Sequence, residues 1–145
     1  MKNSLDTKII RFLKKYNVIN IATMEKKNPW IFSCFYAYDE VENVFYFSSD
    51  GKTRHFQNLK QNSKISASIA PQTETLLHIQ GVQLLGEAKH LVDEEFEKTK
   101  KIYLKRFPVA SLYVKSMWKI EPWHIKFTNN KVGFGKKIIW NNYPQ

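Results

Sequence analysis

The first pattern along the chain is helical. Apolar residues recur every three or four positions between polar ones, at Leu5, Ile9, Phe12, Leu13 and Tyr16. Such spacing places them on one face of an amphipathic helix. Asn3 and Ser4 precede that face and are the available N-caps.

Three β-type runs follow the helix, and polar turns separate them. The runs are rich in β-branched and aromatic residues and span residues 18–24, 30–38 and 44–49. They predict a three-stranded β-meander, because consecutive strands joined by short turns usually pair with each other.

A short helix is predicted directly after the third run. Asp50 and Gly51 end the run, and residues 52–61 then have helical spacing with Phe56 and Leu59 on the buried side. A strand that leads through a glycine into a helix N-terminus is also a frequent architecture of anion sites.

The second half contains two more β segments and one clear helix. Residues 65–70 and 76–91 predict strands on either side of a turn at residues 71–75. Gly81 and Gly86 lie in the longer strand, where each predicts a bulge or a sharp bend. The helix that follows has Asp93 as its predicted cap, Pro108 as its stop and a buried stripe of Phe96, Tyr103 and Phe107.

The last predicted strand spans residues 117–128. Trp123, Ile125 and Phe127 alternate there with His124, Lys126 and Thr128, and residues 129–145 show no clear period. Aromatic residues mixed with lysines also occur in grooves for single-stranded nucleic acid. The regular alternation favours a strand with one core face and one solvent face.

This order of elements indicates one domain over residues 1–145, since no repeat or linker interrupts it. Strands outnumber helices, so we predict a mainly β fold with flanking helices that is built as a small barrel.

Composition indicates where in the cell the protein is located and which kinds of partner it can bind. The single cysteine, Cys34, excludes an intramolecular disulfide, and no stretch is long and apolar enough for a signal peptide or a membrane span. We therefore expect a cytoplasmic protein with no membrane partner. Lys and Arg number 23 against 13 acidic residues, and residues 101–145 carry 9 against 1, which favours anionic partners.

The most informative motif is SSDGKTRH at residues 48–55. Free N–H groups at a helix N-terminus, the positive end of the helix dipole and the Ser, Thr, Lys and Arg side chains could together bind a phosphate. An ordinary capped helix with solvated charges explains the same residues equally well. The spacing excludes a P-loop.

Two weaker signals lie further along the chain. Gln80 and Gln83 flank Gly81, where a flat ring could approach the backbone and meet an amide, although a bulge with outward-facing glutamines is the simpler interpretation. The GFGKK string at residues 133–137 could hold a ligand phosphate or form a basic tail.

Other chemistry is not indicated. The four histidines lack the spacing of metal ligands, so we predict no metal site. Cys34 lies among apolar residues, which favours a buried, inert thiol. No catalytic residue can be named from the sequence.

Taken together, the element order and the strings KTRHFQNL, HIQGVQLLGEA, RFPVA, IKFTNN and GFGKK resemble the YhbP-like group of small bacterial proteins. That group belongs to the pyridoxamine 5′-phosphate oxidase-like, FMN-binding split-barrel superfamily. The resemblance covers nearly the whole chain. It implies a six-stranded antiparallel split β-barrel that forms a homodimer with FMN at the subunit interface.

The resemblance also implies site residues. The FMN phosphate would contact residues at the end of the third strand and the start of the short helix, which are Ser48, Ser49, Lys52, Thr53 and Arg54. The isoalloxazine ring would lie beside the second strand at Ser33, Cys34 and Phe35, with a glutamine of the long strand, Gln80 or Gln83, near it. Residues that contact pyridoxal in true pyridoxamine phosphate oxidases have no match.

Three functional hypotheses remain at this stage. The first is an FMN-dependent oxidoreductase of unknown substrate, with NAD(P)H or a small molecule as its partner. The second is a non-enzymatic binder of nucleic acid or another polyanion through the basic last third, which we favour less. The third is a split-barrel protein that binds haem, or no cofactor.

Overall fold

The computed structural model describes residues 4–145 and contains, within them, three α-helices and eight β-strands. The helices are α1 (Thr7–Lys15), α2 (Arg54–Gln61) and α3 (Asp93–Arg106). The strands are β1 (Val18–Glu25), β2 (Asn28–Phe35), β3 (Ala37–Asp39), β4 (Val44–Ser48), β5 (Lys64–Ile69), β6 (Gln80–Leu91), β7 (Met117–Asn129) and β8 (Lys137–Asn141).

All eight strands form one antiparallel sheet that curls on itself. Its order is β2-β1-β5-β6-β7-β4-β3, with β8 paired to β7. The two ends of this order, β2 and β3, are separated in the chain by Tyr36 alone. A sheet whose opposite ends are joined by one residue must curve into a half-barrel. The predicted fold class, a mainly β split barrel with flanking helices, is therefore confirmed.

The core has two parts, and β4 lies between them. Phe45 and Phe47 point into the barrel, where residues from α1, α2 and most strands form the larger cluster. Val44 and Tyr46 point the other way, into a smaller cluster beneath α3. Because α3 covers the outer side of β4, this strand is buried on both faces.

The longest pairing joins β6 and β7 over twelve residue pairs. Its register shifts between Leu85 and Gly86, which confirms the bulge predicted at Gly86. A Cβ atom at Gly86 would lie 2.5 Å from the carbonyl oxygen of Glu121, so only glycine fits this crossing. Gly81 lies in regular pairing opposite Thr128, so of the two predicted alternatives there, a bulge or a sharp bend, the bulge is excluded.

Several predicted boundaries are wrong. The run at residues 30–38 divides into β2 and β3, because Tyr36 turns inward between them and donates its N–H to the carbonyl of Asn17. Residues 76–78 form a 3₁₀ turn, so β6 begins only at Gln80. The strand β8 lies in the tail that showed no period, and the strand count therefore exceeds six.

The predicted helix caps also differ. The side chain that caps α1 is Asp6, which accepts a hydrogen bond from the N–H of Lys8. The predicted candidate Ser4 is therefore wrong, and the other candidate, Asn3, lies outside the described residues. Asp93 is the first residue of α3 and has a positive φ of 54°, and the cap position before it, Val92, provides no side-chain hydrogen bond. The cap predicted at Asp93 is wrong.

The aromatic residues near the C-terminus belong mainly to the core. Trp118, Phe127 and Trp140 are all buried. The alternation in β7 predicted this for Phe127, whereas Trp123, which was predicted on the same core face, is only half-buried and lies at the register shift of β7. Within residues 4–145 no helix combines the length and apolar character that crossing a bilayer requires. Over the same range, no three His, Cys, Asp or Glu side chains lie together as metal ligands would.

Candidate cofactor-binding site

The turn from β4 to α2 contains the strongest sequence motif. The helix begins at Arg54, two residues later than predicted, and Thr53 is its N-cap, with Oγ1 accepting a 3.3 Å hydrogen bond from the N–H of Phe56. Thr53 Oγ1 also donates to the carbonyl oxygen of Asp50 at 2.7 Å. The cap hydroxyl is thus fixed between the turn and the first turn of the helix.

Three polar side chains meet beside this cap. Ser49, which is 7% exposed, places its Oγ 2.7 Å from His55 Nε2 and 3.4 Å from Thr53 Oγ1. The imidazole nitrogen also lies 3.1 Å from Thr53 Oγ1. The His55 ring stacks on Phe32 with the centroids 3.7 Å apart and the planes at 7°. Burial lowers the pKa of His55, so the neutral imidazole is favoured. We call Ser49, Thr53 and His55 the hydroxyl–imidazole cluster.

The cations of the motif lie on the exposed side of the turn. Arg54 pairs with Glu25 at 2.6 Å, and its guanidinium lies over the Trp30 ring, 4.3 Å from the centroid. The Lys52 side chain is exposed, while its backbone N–H donates to Asp50 Oδ1 at 3.0 Å. This turn therefore contains two cations, one of which is already held by a carboxylate and a ring.

A carboxylate lies at the centre of the same turn. Asp50 Oδ2 pairs with the ammonium group of Lys115 at 2.9 Å. The hydrogen bond from Lys115, together with that from the Lys52 N–H, holds the pKa of Asp50 below its usual value. The turn is consequently a compact set of fixed charges of both signs.

A cavity of about 670 Å³ opens next to this turn. One wall consists of Cys34 and Phe35 at the end of β2 and of Ser48, Ser49 and Asp50 after β4. The fold thus brings together four residues that the sequence placed near the phosphate or the ring. A cavity of this size is within the range that small-molecule cofactors occupy.

The opposite wall of the cavity is mostly apolar. It is formed by the end of α3 and the 3₁₀ turn Pro108–Leu112, and it includes Phe107, Val109 and Tyr113. Phe107 reaches across to Phe35, with the ring centroids 5.2 Å apart. Burial raises the pKa of the Cys34 thiol to about 12, so the thiol remains protonated.

The remaining predicted residues lie elsewhere on the sheet. Ser33 donates to Asn20 Oδ1 at 2.6 Å on the outer face of the barrel. That face carries a continuous row in which each residue pairs with the next: Ser33, Asn20, Ser68, Gln83, Lys126 and Ile139. Gln80 pairs with Asn129 at the beginning of β6. The structure therefore does not bring Gln80 or Gln83 to the wall formed by Cys34 and Ser48.

Sequence similarity gives the family. The family model described as pyridoxamine 5′-phosphate oxidase matches residues 5–128. The UPF0306 protein YhbP of Escherichia coli O157:H7 is 37% identical over 134 residues, which cover 92% of this chain and 91% of that protein. This chain belongs to the pyridoxamine 5′-phosphate oxidase family. The YhbP-like resemblance identified from the sequence is confirmed.

Solved structures in this family's fold are also similar to the chain. A heme binding protein from Mycobacterium smegmatis has a TM-score of 0.73 at 19% identity over 86% of this chain, which spans about half (52%) of that protein. A FAD-binding protein from Mesorhizobium loti has a TM-score of 0.69 at 12% identity, covering 83% of this chain and 91% of that one. At these identities the similarity establishes the fold.

Sequence reasoning missed one residue of this site. His55 lies within the SSDGKTRH motif, yet its sequence context predicts no ligand spacing and so gives it no role. The available signal was its position two residues after Thr53, because a helix N-terminus brings these side chains to the same turn. The stacking partner Phe32 is distant in sequence and gave no signal.

Proposed function

We propose that this chain is an FMN-binding protein that acts as a flavin-dependent oxidoreductase. The observation that carries the proposal is the cavity wall in which Cys34 and Phe35 of β2 meet Ser48 and Ser49 after β4, directly beside the α2 N-terminus. These are the segments that the family resemblance associates with the ring and the phosphate.

The cavity suits a planar ring with one polar edge. Its apolar wall, with Phe107 and Tyr113, could cover the faces of an isoalloxazine, while Ser48 and Ser49 could meet polar atoms at the ring edge or the ribityl chain. Bound FMN would supply hydride or single-electron chemistry. The role of the protein would be to orient the ring and to exclude water from it.

The β4–α2 turn suits the phosphate. Lys52 and Arg54 would supply positive charge, and the cap at Thr53 marks where free backbone N–H groups of α2 point outward. Arg54 is paired with Glu25 on the protein surface, where such an ion pair contributes little, so its guanidinium could turn to a phosphate at small cost.

Haem is the second candidate, because the heme binding protein of Mycobacterium smegmatis shares the fold. The side chains that line the cavity fit haem less well than they fit FMN, because few of them could bind the haem iron. Among the described residues, no histidine lines the cavity, and its one thiol, Cys34, has a raised pKa. Iron in haem is usually held by an imidazole or a thiolate.

We further propose that the chain forms a homodimer through the outer face of the sheet. Ile31, Leu85 and Ile139 are large apolar residues on this face, with exposed fractions of 64%, 42% and 57%. Ile31 and Leu85 belong to one cross-strand row, with Ala22 and Ser66 between them, and an exposed surface rich in apolar residues often marks an interface. A second copy on this face would also cover Gln83, which lies in the same cross-strand row as Ile139.

A double substitution that removes two positive charges tests whether the β4–α2 turn binds the FMN phosphate. Lys52→Ala combined with Arg54→Ala should weaken FMN binding at least about tenfold, as the loss of charge-assisted hydrogen bonds does, while riboflavin binding stays unchanged. Lys8→Ala with Arg11→Ala removes the same charges from the exposed face of α1 and is the matched control. Equal FMN affinity in the two double variants would refute the assignment.

A further inference from the structure

Three side chains of β2 connect the cavity with the surface beside α2. Trp30, Phe32 and Cys34 alternate along the strand and therefore share one face. Cys34 lines the cavity, and the Phe32 ring stacks on His55. The Trp30 ring lies beneath the guanidinium of Arg54. From Cys34 to Trp30 the strand advances about 13 Å, at roughly 3.3 Å per residue. The row thus leads from the proposed ring position, past the α2 N-terminus, to an indole at the surface.

The indole of Trp30 is only partly covered. The residue is 41% exposed, and the Arg54 guanidinium lies 4.3 Å from the ring centroid. Arg54 also pairs with Glu25 at 2.6 Å, and its side chain is 48% exposed. An exposed ion pair and an exposed cation–π contact are each weak, so the guanidinium can leave the ring at small cost. When it turns to a phosphate at the α2 N-terminus, one face of the indole becomes free for another flat ring.

Two further cations lie at the end of the same hairpin. Lys26 and Lys27 form the turn between β1 and β2, and both are exposed. Among the described residues, neither lysine is paired with a carboxylate. Together with Arg54 they set three positive charges against the carboxylate of Glu25. Such an excess beside a flat aromatic ring favours a ligand that combines phosphates with a planar base.

We propose that Trp30, Arg54, Lys26 and Lys27 form a subsite for an adenosine 5′-diphosphate group. The adenine would stack on Trp30, and the phosphates would lie between the two lysines and the α2 N-terminus. Glu25, once released from Arg54, would accept hydrogen bonds from the ribose hydroxyls. The proposal rests on the proposed function in that the other half of the dinucleotide would lie in the cavity.

Two molecules contain this group together with a second ring that suits a flavoprotein. In FAD the adenosine diphosphate is joined to the flavin, so that one molecule would occupy both the cavity and the subsite. In NAD(P)H it is joined to a nicotinamide, which would lie against a bound FMN. Binding experiments with each molecule separate the two sources.

The first experiment measures binding of ADP and of inorganic pyrophosphate by isothermal titration calorimetry. Trp30→Leu should weaken ADP binding at least about fivefold, as the loss of a base–aromatic stack does, and leave pyrophosphate binding unchanged. Phe134→Leu replaces an aromatic residue that is 76% exposed, two positions before Lys136, and is the matched control. Lys26→Gln with Lys27→Gln should weaken binding of both ligands. Equal ADP affinity in Trp30→Leu and Phe134→Leu, or no ADP binding, would overturn the subsite.

The second experiment compares the two sources. If FAD occupies the subsite, it should bind at least about fivefold more tightly than FMN in the wild type and equally well in Trp30→Leu. If NAD(P)H does, FAD and FMN should bind equally, and the FMN-loaded chain should bind NADPH more tightly than FMN-loaded Trp30→Leu does.

The outcomes also separate the subsite from the proposed function. FMN binding without ADP binding would refute the subsite and leave the proposed function standing. ADP binding that depends on Trp30, in a chain that binds neither FMN nor FAD, would support the subsite and refute the proposed function. Equal affinities for FAD and FMN, together with no binding of NADPH, would overturn the assignment of the subsite to a dinucleotide.

Discussion

The hydroxyl of Tyr36 donates a 2.7 Å hydrogen bond to the carbonyl oxygen of Leu13, and both residues are fully buried. Tyr36 is the single residue between β2 and β3, so this bond connects the closing point of the half-barrel to the C-terminal turn of α1. Guanidinium contacts reinforce the same corner, because Arg106 donates to the carbonyl of Tyr16 at 2.6 Å.

Removing this hydroxyl should destabilise the fold. Tyr36→Phe leaves the buried carbonyl of Leu13 without its partner, which costs about 1–3 kcal/mol of unfolding free energy. Chemical denaturation followed by circular dichroism measures the loss. Tyr113→Phe, at a position that is 73% exposed, is the matched control and should be neutral. Equal stability of the two variants would show that the closure does not depend on this bond.

A methyl group at Gly86, where the pairing of β6 with β7 shifts register, should be poorly tolerated. Gly86→Ala would place Cβ 2.5 Å from the Glu121 carbonyl oxygen, so the β6–β7 crossing must move apart. We expect a loss of about 1–3 kcal/mol or more, as for overpacked cores. At Gly81 the closest backbone contact would be 3.3 Å, so Gly81→Ala should cost less. The reverse order of the two melting temperatures would contradict this account.

Stability should fall at alkaline pH. Burial raises the pKa of Cys34 from 9.0 to about 12, and it raises those of Tyr46 and Tyr103 from 10.0 to about 12. The unfolded chain ionises first, so unfolding releases protons and the folded state loses stability as the pH rises from 9 towards 12. Denaturation curves recorded from pH 8 upwards measure this fall. Cys34→Ala should remove the part that begins near pH 9, and an unchanged curve would contradict the cause assigned to it.

If the homodimer forms through the outer face of the sheet, a charged side chain on that face should prevent dimerisation. Leu85→Glu places a carboxylate in the middle of the sheet face, where a second copy would have to bury it, so the variant should be monomeric. Sedimentation equilibrium compares it with the wild type. Val41→Glu, at a turn position that is 88% exposed, should leave the dimer intact. A monomeric wild type would refute this interface.

Local patterns in the sequence predicted much of the fold. The faces of α1 and the buried side of α2 follow from side-chain period alone, so they agree with the structure. The alternation in β7 agrees at Ile125 and Phe127 but not at Trp123, where a register shift interrupts the period. The division of residues 30–38 at Tyr36 could not be predicted, because it arises from contacts with α1 and from two different partner strands. The strand β8 is short and contributes only Ile138 and Trp140 to the core, too few positions to reveal a period.

The candidate site was predictable only in part. Ser48 and Ser49 follow from the motif and Cys34 and Phe35 from the family resemblance, and the fold places all four in one wall. The cavity itself requires the end of α3, more than fifty residues away in sequence, and no local pattern indicates that packing. The hydroxyl–imidazole cluster depends on distances of 2.7 and 3.1 Å from His55 Nε2 to two hydroxyl oxygens, which only the folded turn creates.

The most direct test of the central claim is a fluorescence titration of the purified chain with FMN at near-physiological salt. We expect saturable quenching at micromolar FMN with one flavin per chain, and a large loss of affinity in Ala110→Trp, whose indole would fill the cavity. No saturable quenching, or equal affinity in the wild type and Ala110→Trp, would contradict the assignment of this cavity to the flavin.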